Sequence, residues 1–480
     1  MAGLKGRDKK LAKKVITIDP ITRIEGHLKV ELEIEESKVV DARSSGTLFR
    51  GFEIILKGRD PRDAQHLAQR VCGICSAAHA SAASLTLESA FRAKPPSNGR
   101  IIRNLVAGAD FLQSHILHFY LLTALDYFVG PENALFIPRI EGDYRLSRQM
   151  NNEYLDHYIK ALEIRRKIHE MTAIFGGKMP HHQTSVPGGV TEKPTVDKIA
   201  SFLWRLREII DFIENIYLPD VLRIADVYKE YSKIGRGCGN LLAYGGFNLD
   251  DQGKEKLFKR GRFTDGKIEI MDSEKITEDV RFSWYNTKIS GKNPRDSDTF
   301  PAPGKSGAYS WLKSPRYEGK PYELGPLARM WINGDYRKGI SVMDRHIARA
   351  LETKKIARAM EEWVLQLRPG KGVYTPCKVP KNGEGIGLTE APRGALGHWI
   401  KISNSKIERY QIVTPSNWNC SPRDDRGEPG PLEKSLIGTP VADAENPVEI
   451  MRIIRSYDPC IACSVHLIVP GRNISEFRVC

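Results

Sequence analysis

Apolar and polar residues alternate with period two from Val15 to about Ile55, most plainly in the run KVELEIEES, and glycine and aspartate interrupt the pattern. Such alternation predicts a small β region. Past Asp60-Pro61 the spacing lengthens to that of a helix and persists, with breaks, to about Tyr231. Residues 101–127, 152–175 and 196–231 carry apolar positions at helical spacing with few Gly or Pro inside, which predicts a long helical bundle. From about Gly235 to Pro326 the segments become short and rich in Gly, Pro, Asp and aromatics, the mark of an irregular β-containing insertion. Helical spacing returns between Tyr322 and Leu367. Residues 383–414 alternate again, and HWIKISNSKIERYQIV predicts a hairpin about Ser403-Asn404-Ser405. A last helix is expected over 446–455. There is no internal repeat and no low-complexity segment. The pattern gives an α+β fold with a large helical-bundle core and small β regions at the N-terminus, in the middle and near the C-terminus. The expected divisions are 1–60, 61–234, 235–326, 327–466 and a C-terminal extension, 467–480.

Composition narrows the class. Of 480 residues 41% are hydrophobic, yet no uninterrupted apolar run reaches the roughly 18–20 residues that a membrane helix needs. The basic stretch 1–14 is followed by no apolar region, so it reads as neither secretion signal nor anchor. Work outside the cytoplasm would then require another chain to carry this one. The net charge of +14 raises the question of nucleic acid or an anionic surface. The basic residues are spread along the chain, however, and no basic helix is interleaved with stacking aromatics. A solvated surface or an acidic partner is the better reading, and nucleic acid is not expected as a partner.

Eight cysteines are present: Cys72, Cys75, Cys238, Cys377, Cys420, Cys460, Cys463 and Cys480. The chain is too long for a typical disulfide scaffold. Four of them form two C-x-x-C pairs, Cys72/Cys75 and Cys460/Cys463, a spacing that brings two sulfurs to the same side of a turn and onto one ion. Zinc is one reading. Against it, zinc ribbons usually place their pairs roughly 15–20 residues apart, whereas these lie near opposite ends of the chain and must be assembled by the whole fold. A redox dithiol is another reading. Soft thiolates also suit nickel and iron, and the bare motif does not choose among them.

The surroundings of the pairs do choose. RVCGICSAAHA and DPCIACSVH resemble the two signature motifs of nickel–iron hydrogenase large subunits. The likeness continues in family order through DPITRIEGHLKV, GTLFRGFE, FGGKMPHHQTSVPGGV, SWLKSPRYEGKPYELGPLARM, EAPRGALGHWI and SNWNCSPRD. A related complex I subunit lacks the metal-binding cysteines; all four are present here, which opposes a non-catalytic scaffold.

The resemblance implies that Cys72, Cys75, Cys460 and Cys463 hold nickel, with Cys75 and Cys463 bridging to an iron that carries cyanide and carbon monoxide. Cys460 would accept the proton as molecular hydrogen is split or formed. Arg393, after Pro392, would sit over the open position, with Asp458 as its counter-ion. Pro415 and Ser416 would contact a cyanide ligand. Glu25 would relay protons, which suits a carboxyl whose pKa burial has raised. Glu53, His466 and the backbone carbonyl near Ile412 would hold magnesium or iron(II). His79, His115 and His118 are expected to be core or supporting histidines. In the family an endopeptidase cuts after the histidine matching His466, so 467–480 reads as a precursor peptide.

Cys238, Cys377, Cys420 and Cys480 have no iron–sulfur spacing, and no Rossmann fingerprint stands in a strand–helix setting. Electrons must therefore leave through a partner, which the family's iron–sulfur small subunit would be. A membrane cytochrome or quinone-linked subunit is a further expected partner. Respiratory uptake at the outer face of the cell membrane is the expected setting, and the cytoplasm is its alternative. The rival reading of the whole chain is a zinc-stabilised interaction or nucleic-acid-binding protein.

Overall fold

The computed structural model describes residues 14–130 and 142–464, without the side chains of 463 and 464. Four long helices make the bundle. Ser97–Leu117 packs between Arg148–Gly176 and Val342–Gln366, and Val196–Phe212 touches the latter two and closes the ring. Their starts follow ordinary capping chemistry. The hydroxyls of Ser147, Thr195 and Ser341 each accept a backbone N–H from the first turn of their helix.

The helices expected over 101–127 and 196–231 stay helical but not regular. The first leaves α geometry at Leu117 for a wider turn, His118–Thr123, and then a tight one, Ala124–Asp126. The second widens at Ile213–Tyr217 before resuming as Leu218–Val227. Such wide turns take in an extra residue and rotate the face beyond them, a shift the apolar period alone does not show.

At the N-terminus Lys14–Ile18, Leu28–Glu35 and Lys38–Gly46 form an antiparallel meander, in which Leu28, Val30, Leu32 and Ile34 face the core. The β reading extended to about Ile55, but Phe52–Leu56 is a single helical turn. Its two exposed isoleucines, Ile54 and Ile55, imitate an apolar run, while the turn buries Glu53 and Leu56. Between 235 and 325 lie short strands in two- and three-stranded pieces. Pro326–Asn333 then returns the chain to helix.

A second meander, Gly383–Ala391, Gly394–Ser403 and Lys406–Val413, turns at Asn404 and Ser405, both with left-handed φ. That is the predicted hairpin, in the primed turn geometry that matches strand twist. This sheet lies against the alanine-rich helix Ser76–Phe91. The two approach closely because Gly385 and Gly387 have no side chain. A Cβ on either would fall 2.2 Å from the Thr86 carbonyl oxygen or 2.3 Å from that of Ala82. The small core between them includes Cys72, Cys75 and Cys460.

Candidate metal centre

Cys72 follows the tight turn Gln69–Val71 in extended conformation, and Cys75 is the residue before the first turn of Ser76–Phe91. The Ile74 N–H points at Cys72 Sγ, 3.3 Å away. The second pair arrives from the other end of the chain. After the helix Val448–Ser456, Asp458 takes a left-handed turn (φ 53°) and Pro459 leads into Cys460. This segment runs parallel to Glu25: the Glu25 N–H donates to the Pro459 carbonyl at 3.2 Å, and the Ile461 N–H to the Glu25 carbonyl at 2.7 Å. Gly26 makes that approach possible, since a Cβ there would lie 2.3 Å from the Ala462 nitrogen.

Cys72 Sγ and Cys460 Sγ are thus brought to 3.4 Å across 388 residues of sequence. With Cys75 they form the one group of three metal-ligating side chains among the described residues, all three buried and their sulfurs within 4.8 Å of one another. Cys463 lies one turn beyond Cys460 in the helix Ile461–Ser464; its side chain, His466 and 467–480 lie outside the described residues. Arg50, which the sequence motifs did not single out, donates one Nη2 to the carbonyls of both Val71 and Ala462 and so ties the two cysteine segments together.

Arg393 stands in the turn between the first two strands of the C-terminal sheet. Its Nε donates to the Asp458 carbonyl at 3.0 Å, its Nη1 to Ser114 Oγ at 3.4 Å, and its Nη2 lies 2.9 Å from Asp458 Oδ1. The last is a charge contact rather than an aligned hydrogen bond, so Nη2 and both Asp458 carboxylate oxygens retain hydrogen-bonding capacity in a buried space. Burial works against the guanidinium charge, but Asp458 and the thiolates of Cys460, Cys75 and Cys72 hold it firmly protonated. The turn itself is fixed from below. Arg329 binds the Pro392 carbonyl at 2.8 Å while pairing with Glu352 and Glu390, all three side chains buried.

Ser416, second residue of the short helix Pro415–Asn419, accepts the Cys460 N–H at 2.9 Å through its hydroxyl. Burial raises the pKa of Glu25, and the charge of Cys72 pushes it the same way, against Arg393 and Arg50. Asp110 escaped the sequence reading. It is fully buried on Ser97–Leu117, its carboxyl pushed up to about 8 by burial, with the Gln113 amide on Oδ1 at 3.3 Å and the charge of Cys72 adding to the rise. The signal was available: a lone aspartate in the apolar run AGADFLQSHIL.

Glu53 and Ile412 also meet. Glu53 Oε1 accepts the Ile412 N–H at 2.8 Å, and Oε2 takes the Thr299 hydroxyl. Ile412 thus meets Glu53 through its amide, where the resemblance pointed to its carbonyl. His115 Nε2 lies 2.9 Å from Glu352, and His118 Nε2 lies 2.7 Å from the Arg455 carbonyl. Burial pushes His115 down to about 4 and His118 well below its ordinary value.

Thiols drawn from both ends of a chain, buried beneath a guanidinium–carboxylate pair, define a thiolate-bound metal centre built by the whole fold. The chain belongs to the nickel-dependent hydrogenase family, whose model matches residues 50–136, 131–339 and 332–466; a HoxL-like model matches 15–45. It is 46% identical to the periplasmic [NiFeSe] hydrogenase large subunit of Desulfomicrobium baculatum, over 94% of this chain and 95% of that one. It is 33% identical to the quinone-reactive Ni/Fe-hydrogenase large chain of Wolinella succinogenes, over 97% and 98%. The structure of the Ni-Fe-Se hydrogenase from D. vulgaris Hildenborough in the reduced state superposes with a TM-score of 0.93 at 48% identity, covering 95% of this chain and all of that one. The chain is therefore a hydrogenase large subunit, an oxidoreductase acting on molecular hydrogen beside a small subunit. That sets aside the zinc-stabilised and nucleic-acid-binding readings.

Proposed function

We propose that Cys72, Cys75, Cys460 and Cys463 hold nickel, and that Cys75 and Cys463 share their sulfurs with an iron carrying cyanide and carbon monoxide. The convergence of Cys72 and Cys460 at 3.4 Å, beneath a guanidinium with unspent hydrogen-bonding capacity, carries the reading. The donor set fits soft metals. The relatives' names include selenium, but all four proposed ligand positions here are cysteine, so this set is sulfur throughout. Bound there, the bimetallic group supplies an electrophile at which the H–H bond breaks heterolytically.

The chain's own groups then handle charge and protons. Cys460 Sγ takes the proton, and Glu25, whose pKa is raised by burial, passes it outward. Arg393, locked on Asp458, holds a fixed positive charge and donors over the open face. Pro415 and Ser416 line the cyanide side, where the Ser416 hydroxyl is already oriented by the Cys460 amide. Glu53, the Ile412 backbone and His466 hold magnesium or iron(II), a hard ion suited to oxygen donors.

Two electrons leave through iron–sulfur clusters of the small subunit. An endopeptidase removes 467–480 after metal insertion. The complex works at the outer face of the cell membrane through a cytochrome or quinone-linked subunit, in keeping with the periplasmic and quinone-reactive names of its relatives. Among the described residues no helix is long and apolar enough to cross a membrane.

Metal analysis of the purified complex, with infrared spectroscopy in the cyanide and carbonyl stretching region, tests the centre. Nickel and iron with those bands are expected. Zinc alone, without the bands, would reject it.

A further inference from the structure

Two helices and a hairpin enclose a cavity apart from the cysteine cluster, and no step of the proposed reaction uses it. It measures about 420 Å³, within the ~300–1,000 Å³ typical of small-molecule sites. One wall is the face of Ser76–Phe91 that carries Ser81, Leu85 and Glu88, spaced so that they stand one above the other on a helix. Arg100, Arg103 and Ala107 of Ser97–Leu117 repeat that spacing on the facing wall. The paired strands Gly246–Asn248 and Lys256–Phe258 close the side, against Leu388 and Glu390 of the C-terminal sheet. Gly246 allows the close approach, since a Cβ there would lie 3.1 Å from the Glu390 Cβ.

The lining is apolar within and positive in balance. Leu85, Ala107 and Leu388 are only half-buried, and they line the cavity together with Phe247. Phe247 is held at a left-handed φ of 59°, a costly conformation for a bulky side chain. Phe111 and Trp363, with ring centroids 5.1 and 5.4 Å away, keep its ring in place. Strained residues of this kind cluster at ligand sites. Of the charges on the wall, Arg103 pairs with Glu88, Arg100 with Asp251 and Glu390 with Arg329, each at 2.7 Å. Asp250 turns both oxygens to amides of its own loop, those of Gln252 and Glu255. Among the described residues Lys94 and Lys256 meet the neutral side-chain oxygens of Gln252 and Asn248 and pair with no carboxylate. Burial pushes the Lys256 ammonium down to about 8, with the charge of Arg260 acting the same way and those of Asp250 and Glu390 against it. At neutral pH it stays charged, half-buried beside an apolar surface.

We propose that this cavity binds a small carboxylic acid with an aromatic body, its carboxylate on Lys256 and its rings against Leu85, Ala107, Phe247 and Leu388. An anion there supplies the partner that Lys256 lacks, and the rings cover apolar surface that is otherwise left open.

The test is calorimetric titration of the purified complex with naphthoate and with its uncharged counterpart naphthamide. Naphthoate should bind more tightly by about tenfold or more, the worth of one hydrogen bond between charged partners. That advantage should fade between about pH 7 and about pH 9.5, as Lys256 gives up its proton, while the affinity for naphthamide stays level. Lys256→Met keeps the apolar stem and should erase the advantage at the lower pH. Ala107→Leu narrows the cavity without touching Lys256 and should weaken both probes, with thermal midpoints separating loss of the site from loss of the fold. Absence of saturable binding by either probe up to millimolar concentration would overturn the proposal. So would naphthoate that binds the Lys256→Met complex as tightly as the unaltered one. Neither result depends on the metals, so each leaves the nickel–iron reading standing.

Discussion

Arg393 and Asp458 meet with neither side chain more than 2% exposed. In so dry a place the pair matters less for its attraction than for the cost of losing one partner. Removing one member of a buried pair typically destabilises by about 3–5 kcal/mol, because the other charge is left uncompensated. Arg393→Leu should therefore lower the thermal midpoint as well as abolish turnover. Arg393→Lys keeps the charge but not the fork that reaches the Asp458 carbonyl, its carboxylate and Ser114 together. It should stay folded with nickel bound and lose most of its turnover. Equal thermal midpoints for the two variants would contradict this account. Glu25→Gln tests the proton route: hydrogen oxidation should fall by about 100-fold or more, in line with removal of a general acid–base group. Nickel content should not change, and unaltered turnover would remove Glu25 from the route. At this scale the motifs made the cysteines, Arg393, Asp458, Ser416 and Glu25 legible. Asp110 and Arg50 were not, because neither stands in a metal-ligand spacing. Asp110 matters by its burial, and Arg50 by two carbonyls 391 positions apart in the chain, Val71 and Ala462, which only the fold brings together.

Between elements, the decisive contact is that of Ser76–Phe91 with the C-terminal sheet, since it carries Cys75 on one side and the Arg393 turn on the other. Gly387→Ala would push a methyl to 2.3 Å from the Ala82 carbonyl and 2.4 Å from Thr86 Oγ1. Overpacking of this kind costs about 1–3 kcal/mol, and here it also displaces the helix start at which Cys75 sits. A lower thermal midpoint together with a lower nickel content is expected. Gly372→Ala, where a Cβ meets nothing within 4 Å, should change neither. Glu433 offers a pH test on another junction. It accepts the Ser44 N–H at 2.9 Å, the Tyr309 hydroxyl at 2.8 Å and the Gly430 N–H at 3.3 Å, yet burial still pushes it up to about 7. The folded chain thus holds this proton more tightly than the unfolded chain. Its contribution to stability is complete below about pH 4.5, falls as pH rises toward 7 and is flat above, a span worth about 3 kcal/mol. Glu433→Gln should flatten that decline in midpoints measured from pH 4.5 to 7; an unchanged slope would assign the decline to other groups. The sequence showed the N-terminal meander because one face of its strands is buried, the C-terminal hairpin because Asn404 and Ser405 mark its turn, and the long helices because their apolar stripes are continuous. It hid the wide turns at His118–Thr123 and Ile213–Tyr217 and the single helical turn Phe52–Leu56. Each alters backbone geometry over about one turn, too short a span to change the apolar period.

Across the molecule, the centre is assembled from segments near both ends of the chain, so metal binding and closure of the fold are one equilibrium. Residues 458–462 meet the N-terminal part of the chain through the paired bonds between Glu25 and Pro459–Ile461, through Arg50, and through the Cys72 and Cys460 sulfurs. Arg455, in the helix just before them, pairs at 2.6 Å with Asp126 and binds the Thr22 carbonyl. The last turns of the described chain are held by these polar contacts together with the burial of Ile453, Ile454 and Ile461 in the apolar core. An ion that binds only the closed arrangement stabilises it by mass action, in proportion to its affinity and free concentration. The effect should be local. Hydrogen exchange compared between metal-free and nickel-loaded protein should show protection rising at the Glu25 and Ile461 amides together, since each is bonded across the same junction. Amides within Val196–Phe212, on the far side of the bundle, should exchange alike in both states. Equal protection at Glu25 and Ile461 with and without nickel would mean that the junction closes by itself, and that the metal enters a site already formed.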